Sequence, residues 1–129
     1  VTSIEYTTEL AGVRPDDLVD FFVDWPDPPT PAVRLDLLHG SDHVVLARDG
    51  DRVVGFVTAL SDGVLMAHLP LLEVLPSHQR SGVGTELVRR VLAEVGDLYG
   101  VDVCCDDDVV PYYRRFGFQQ VNGMVLRRR

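Results

Sequence analysis

The segment Gln79-Arg80-Ser81-Gly82-Val83-Gly84 constrains this chain more than any other stretch. It follows an apolar run, Leu69 to Leu75, and opens a segment whose apolar residues Val83, Leu87, Val88, Val91, Leu92 and Val95 recur at helical spacing. Strand, glycine turn and helix in that order favour an anion. Glycines let the backbone come close, and the first turn of a helix points free N–H groups at the ligand. The matching ligand is a phosphate or pyrophosphate. The spacing Q-x-x-G-x-G also fits a turn whose glycines only cap or pack, so it does not decide the matter alone. A P-loop requires a lysine, and the chain contains none. A dinucleotide fingerprint requires G-x-G-x-x-G, more glycines than stand here.

A second landmark lies about thirty residues further on, in Pro111-Tyr112-Tyr113-Arg114-Arg115-Phe116-Gly117-Phe118. The two together resemble the GNAT superfamily, the acetyl-CoA-dependent N-acetyltransferases. The family phosphate loop reads [QR]-x-x-G-x-[GA], matched by Gln79, Gly82 and Gly84; the strand before it commonly ends V-x-P, matched by Val74-Leu75-Pro76. The later motif, roughly Y-x-x-x-G-F, is matched by Tyr113, Gly117 and Phe118. The resemblance runs from about Val44 to Phe118. It implies an α/β fold: a mixed, mostly antiparallel twisted sheet flanked by helices, with a splayed strand pair for acetyl-CoA as co-substrate.

Composition narrows the classes. At 129 residues the chain is expected to form a single domain, 1–129, with an independent core. The net charge of −8 argues against non-specific nucleic-acid binding, which relies on clustered cations. Residues 1–75 carry 13 acidic and 4 basic side chains, against 7 and 8 in residues 76–129. An anionic ligand suits the second half; an amine suits the first, although a solvated acidic surface explains it equally well. Arg127-Arg128-Arg129 reads as a solvated end. With no stretch long enough to span a membrane and no leader pattern, a soluble, cytoplasmic protein with no membrane partner is expected. Cys104 and Cys105, adjacent in an apolar run, read as core thiols.

Patterning predicts the order β-αα-βββ-α-β-α-β(β). Strands are expected at Thr2–Thr8, at His43–Arg48 and Arg52–Leu60 around an Asp49-Gly50-Asp51 turn, at Val64–Leu75 as one long strand, and at Val101–Cys105. Helices are expected from Pro15 through Phe22, Pro31–Leu38, Gly82–Val95 and Val109–Phe116. The prolines around Trp25 make a stiff loop, and Phe118–Val121 with Met124–Arg128 form a closing hairpin around Asn122-Gly123.

The resemblance assigns roles by position. The pantetheine arm would pair with exposed main chain at Leu72-Glu73-Val74, Val74 foremost, and the pyrophosphate would lie on Gln79, Arg80, Ser81, Gly82, Val83, Gly84 and Thr85. Tyr113 matches the tyrosine that protonates the leaving thiolate; a phenol is protonated at neutral pH yet can donate to a basic sulfur. Tyr112 is the packing residue beside it, unless the register is one residue off. The base that deprotonates the amine is left between Glu73 and His68, both on the strand before the loop. Asp106 stands where many relatives have an asparagine that bonds pantetheine, and a carboxylate can only accept there. Asp106-Asp107-Asp108 instead suits the start of the Val109 helix or a substrate ammonium, and no metal site is expected. The implied partner is a small-molecule or peptide amine, recognised by about Pro15 to His39; a homodimer is left open. Two other readings remain: a silent acetyl-CoA sensor, and an interaction domain whose glycines only pack.

Overall fold

The computed structural model describes residues 3–128. Six strands form one sheet: β1 (Ile4–Thr7), β2 (His43–Asp49), β3 (Arg52–Ser61), β4 (Met66–Leu69), β5 (Leu72–Val74) and β6 (Gly100–Val103). The helices are α1 (Pro31–Gly40), α2 (Val83–Val95) and the short α3 (Val110–Arg114), with single 3₁₀ turns at Pro15–Leu18, Pro76–His78 and Asp107–Val109. The sheet runs β1-β2-β3-β4-β6, antiparallel except for the parallel pair β4–β6, and β5 also pairs with β3. The mixed, mostly antiparallel architecture is the expected one. Thr2 and Arg129, which begin and end expected features, lie outside the described residues.

The hairpin signal holds: Asp49 pairs with Arg52 across the Gly50 turn, β2 buries Val44 to Ala47 and β3 buries Val53 to Ala59. Such continuous apolar runs belong to strands covered on both faces. α2 lays Val83, Leu87, Val88, Val91 and Val95 on that sheet, the stripe the spacing predicts. α1 begins where Thr30 Oγ1 accepts from Val33 N–H at 3.3 Å.

The long strand expected at Val64–Leu75 is broken. β4 pairs Leu60 with His68, whereas β5 pairs Val57 with Leu72, so one extra residue is inserted between them at Pro70-Leu71. Proline has no N–H to give a ladder, which explains the break at that point. β4 carries on towards β6, its Leu69 facing Val103, while β5 stays with β3. The two directions splay the sheet.

Three other expectations need correction. The helix from Pro15 is only one 3₁₀ turn, because Phe22 and Asp24 adopt left-handed φ values of 64° and 65° that no helix continues. Phe21 and Phe22 are still buried, but from a loop, and Val19 is half exposed. The closing hairpin does not form: residues 119–128 carry no regular structure, and Val121, Met124, Val125 and Leu126 are exposed. A two-stranded hairpin is marginal without a third strand or a packing face. Finally, β6 stops at Val103, so Cys104 and Cys105 leave the sheet and are exposed thiols rather than core ones.

Candidate functional site

The glycine loop leads into an uncapped helix start. After the 3₁₀ turn at Pro76–His78 the chain passes Arg80 at φ 61° and Gly82 at φ 88°, then enters α2 at Val83. The first helical bond runs from Glu86 N–H to Gly82 C=O at 3.1 Å, which leaves the amides of Val83, Gly84 and Thr85 outside the ladder. No side chain caps this end. An uncapped helix start behind a left-handed glycine is where an anion is stabilised by both the free N–H groups and the helix dipole. The loop is tied down behind: His78 Nε2 bonds Asp49 at 2.9 Å, and Ser81 Oγ donates to His78 C=O.

β5 presents the second component. Leu75 N–H donates to Val54 C=O at 2.9 Å and Thr58 N–H to Leu71 C=O at 3.1 Å. Antiparallel alternation then turns the main chain of Leu71, Glu73 and Leu75 towards β3. The amides of Leu72 and Val74 face the other way, into the splay. Val74 C=O there accepts from Gln79 Nε2 at 3.0 Å, a side-chain amide on the free strand edge. The main chain of Leu72 and Val74 thus lies on the strand edge turned away from β3.

Glu73 points its side chain to the opposite face from Leu72 and Val74. Its Oε1 accepts from Phe22 N–H at 3.0 Å, clasping the left-handed residue of the loop. Burial pushes its carboxyl above the ordinary range, partly opposed by that N–H and by the Arg34 guanidinium. Arg34 is itself buried. Its Nη1 donates to Leu18 and Val19 carbonyls at 2.7 and 3.0 Å, its Nε to Pro29 at 2.9 Å, and its guanidinium lies 5.0 Å from the Phe22 ring centre. Sequence reasoning missed this organiser of the loop. The signal was there: Arg34 is one turn before Leu38 on the buried stripe of α1. A small cleft of about 140 Å³ lies here, between Asp20, Phe21 and Val23 on one side and Leu72, Glu73 and Gln79 on the other.

Tyr113 is buried, and its phenol is pushed up to about 12, chiefly by burial and then by Tyr112 and Cys105. It lines a larger cleft of about 1080 Å³ with His68, Cys105 and Asp106. His68 Nδ1 is paired with Asp102 across β4 and β6. The structure therefore does not bring Glu73 and Tyr113 into one cleft; it brings His68 and Tyr113 there. Asp106 precedes the 3₁₀ turn with no side-chain cap bond, its C=O accepting from Val109 N–H at 2.9 Å. Among the described residues no cluster of three His, Cys, Asp or Glu side chains is placed to hold a metal. No helix there is long and apolar enough to cross a membrane.

Tyr112 lies next to Tyr113 on α3. Its ring meets those of Tyr113 and Phe116 edge-on at 5.2 and 5.4 Å, and its hydroxyl is buried beside Gly84 with no hydrogen-bond partner.

An uncapped helix start, a free strand edge beside it and an aromatic helix near both define one site on the α/β domain. Comparison with known proteins gives this architecture its family. Residues 10–118 match the profile of the acetyltransferase (GNAT) family, and the chain belongs to that family. It is 38% identical over 77 residues to the chloroplastic GCN5-related N-acetyltransferase 3 of Arabidopsis thaliana, covering 58% of this chain but only 32% of that protein. A proposed acetyltransferase from Deinococcus radiodurans R1 is 53% identical, with TM-score 0.94 over 97% of this chain and 88% of that one. A GNAT-family acetyltransferase from Streptococcus pneumoniae TIGR4 is 28% identical, with TM-score 0.78 over 100% and 99%.

Proposed function

We propose that the protein transfers an acetyl group from acetyl-CoA to a primary amine by direct attack in a ternary complex. The observation that carries this is the uncapped start of α2 next to the open edge of β5, one site for the pyrophosphate and one for the amides of the pantetheine arm. Acetyl-CoA supplies the acyl thioester. Val83, Gly84 and Thr85 amides hold the phosphates, with Gln79, Arg80, Ser81 and Gly82 shaping the loop. Leu72 and Val74 main chain aligns the arm, which displaces the Gln79 amide from Val74. Asp106, on the rim of the large cleft, accepts a hydrogen bond from the arm or from the amine.

The amine arrives as an ammonium and must lose a proton before it attacks. Glu73 takes it: a carboxylate raised by burial is a better base than an exposed one. Tyr113 Oη then returns a proton to the departing sulfur. A second base has its own support, since His68 shares Tyr113's cleft and is oriented by Asp102. The acidic rim at Asp20 and Glu73 suits a cationic acceptor.

Release of coenzyme A thiol from acetyl-CoA across a panel of amines tests the proposal. Amine-dependent release supports it. Tight binding of acetyl-CoA with no release for any amine makes the protein a sensor instead. Gly82→Val should lower coenzyme A affinity at least tenfold by calorimetry. Nothing lies within 4 Å of the added Cβ, but φ 88° is strained for a branched residue, so the loop must shift. The strain should cost about 1–2 kcal/mol, small enough to leave a cooperative melt. Unchanged affinity in the folded variant removes this loop from the phosphate site.

A further inference from the structure

We infer that Tyr112, beside the tyrosine the family motif singles out, is a cofactor-binding residue whose hydroxyl is reserved for acetyl-CoA where the ligand passes from α2 to the β5 edge. The inference rests on the acetyl-CoA reading above. It starts from an orphaned atom. Tyr112 Oη is buried and has no hydrogen-bond partner; among the described residues the only other such side-chain atom is Thr58 Oγ1, in the fully buried middle of β3. Buried hydroxyls are nearly always paired, and leaving one unpaired costs stability. A phenylalanine would fill the same space at no such cost.

The location says what the missing partner is. A Cβ built on Gly84 would lie 3.2 Å from Tyr112 Oη and 3.7 Å from Val74 Cγ2. The hydroxyl therefore sits at the junction of the first turn of α2 and the outer strand β5, the two surfaces that bind the phosphates and the arm. Its ring is held there by Tyr113 and Phe116, with the Arg115 guanidinium 5.0 Å from the ring centre. The same contact accounts for Gly84. Position 84 is helical, with no positive φ to demand glycine, and its φ plays no part. What crowds a side chain there is the phenol oxygen, closer to the added Cβ than ordinary van der Waals contact. Hydroxyl and glycine are thus two halves of one feature, set where α2 meets β5.

The test uses coenzyme A itself, titrated calorimetrically into wild type, Tyr112→Phe, Gly84→Ala and the double variant Tyr112→Phe/Gly84→Ala, with melting curves of each protein alone. Tyr112→Phe should melt at or above the wild-type temperature, because an unpaired hydroxyl has been removed. It should bind coenzyme A about tenfold more weakly, the loss of one hydrogen bond, and show a smaller ligand-induced rise in melting temperature. Gly84→Ala should lower the melting temperature in the wild-type background. The double variant should tolerate it better, because removal of the phenol oxygen gives the new Cβ room. Wild-type affinity in Tyr112→Phe, or a lower melting temperature for that variant alone, overturns the inference: the hydroxyl would then be idle or already satisfied. Absence of coenzyme A binding by the wild type is a separate failure, of the acetyl-CoA reading itself.

Discussion

Replacing Tyr113 with phenylalanine should lower turnover roughly 100-fold, the scale of one lost acid–base group. The ring is buried and packs edge-on against Phe118 at 5.5 Å and Tyr112 at 5.2 Å, contacts that phenylalanine keeps. Melting temperature and coenzyme A affinity should accordingly stay near wild type. A phenol pushed up to about 12 is protonated throughout the working range, so the acid is always loaded and the loss should be independent of pH between about 6 and 9. Steady-state kinetics with the best amine measures this. The pair Tyr112→Phe and Tyr113→Phe then separates two neighbouring phenols: the first should act on affinity, the second on kcat. Reversal of that pattern would exchange their roles.

Glu73→Gln should be the other severe substitution, also near 100-fold in kcat/KM. The sign of its pH effects follows from burial. Because the folded carboxyl is raised, the fold prefers its neutral form; that contribution to stability is complete below the unfolded-state value and is lost as pH climbs through the folded one. Glutamine stays neutral and its oxygen can still accept from Phe22 N–H. The variant should therefore melt no lower than wild type above that window. In kinetics, the wild-type rate should rise with pH along a limb set above the usual carboxylate range, and the variant should lack it. If the limb survives and His68→Gln removes it, the base is His68, whose cleft Tyr113 shares.

Much of this arrangement was legible in the sequence, for identifiable reasons. Signals that depend on neighbours along the chain came through: the Asp49-Gly50-Asp51 turn, the α2 stripe, the glycine loop with its free amides. The single strand expected over Val64–Leu75 failed because the apolar run does not change character at Pro70; the change lies in which neighbour each half pairs with. Helical spacing at Leu18, Phe21 and Phe22 was real burial, but spacing cannot report the left-handed φ that Glu73 clasps from 51 residues away. The face of Glu73 and its separation from Tyr113 are likewise long-range facts. The exposed thiols of Cys104 and Cys105 reflect a strand that ends earlier than its apolar letters do. The contact of the Tyr112 hydroxyl with position 84 joins two helices and is invisible in the spacing of either.

The break at Pro70 has a consequence for how the groove stays open. A free strand edge attracts any partner that can extend its ladder, and the main chain of Leu72 and Val74 forms such an edge on β5. Every residue of β6 is already paired with β4, and that ladder ends at Leu69 and Val103, immediately before Pro70. Proline carries no N–H, so it cannot donate the bond that would extend the pairing towards β5. The edge of β5 is thereby left unclaimed by the protein's own sheet.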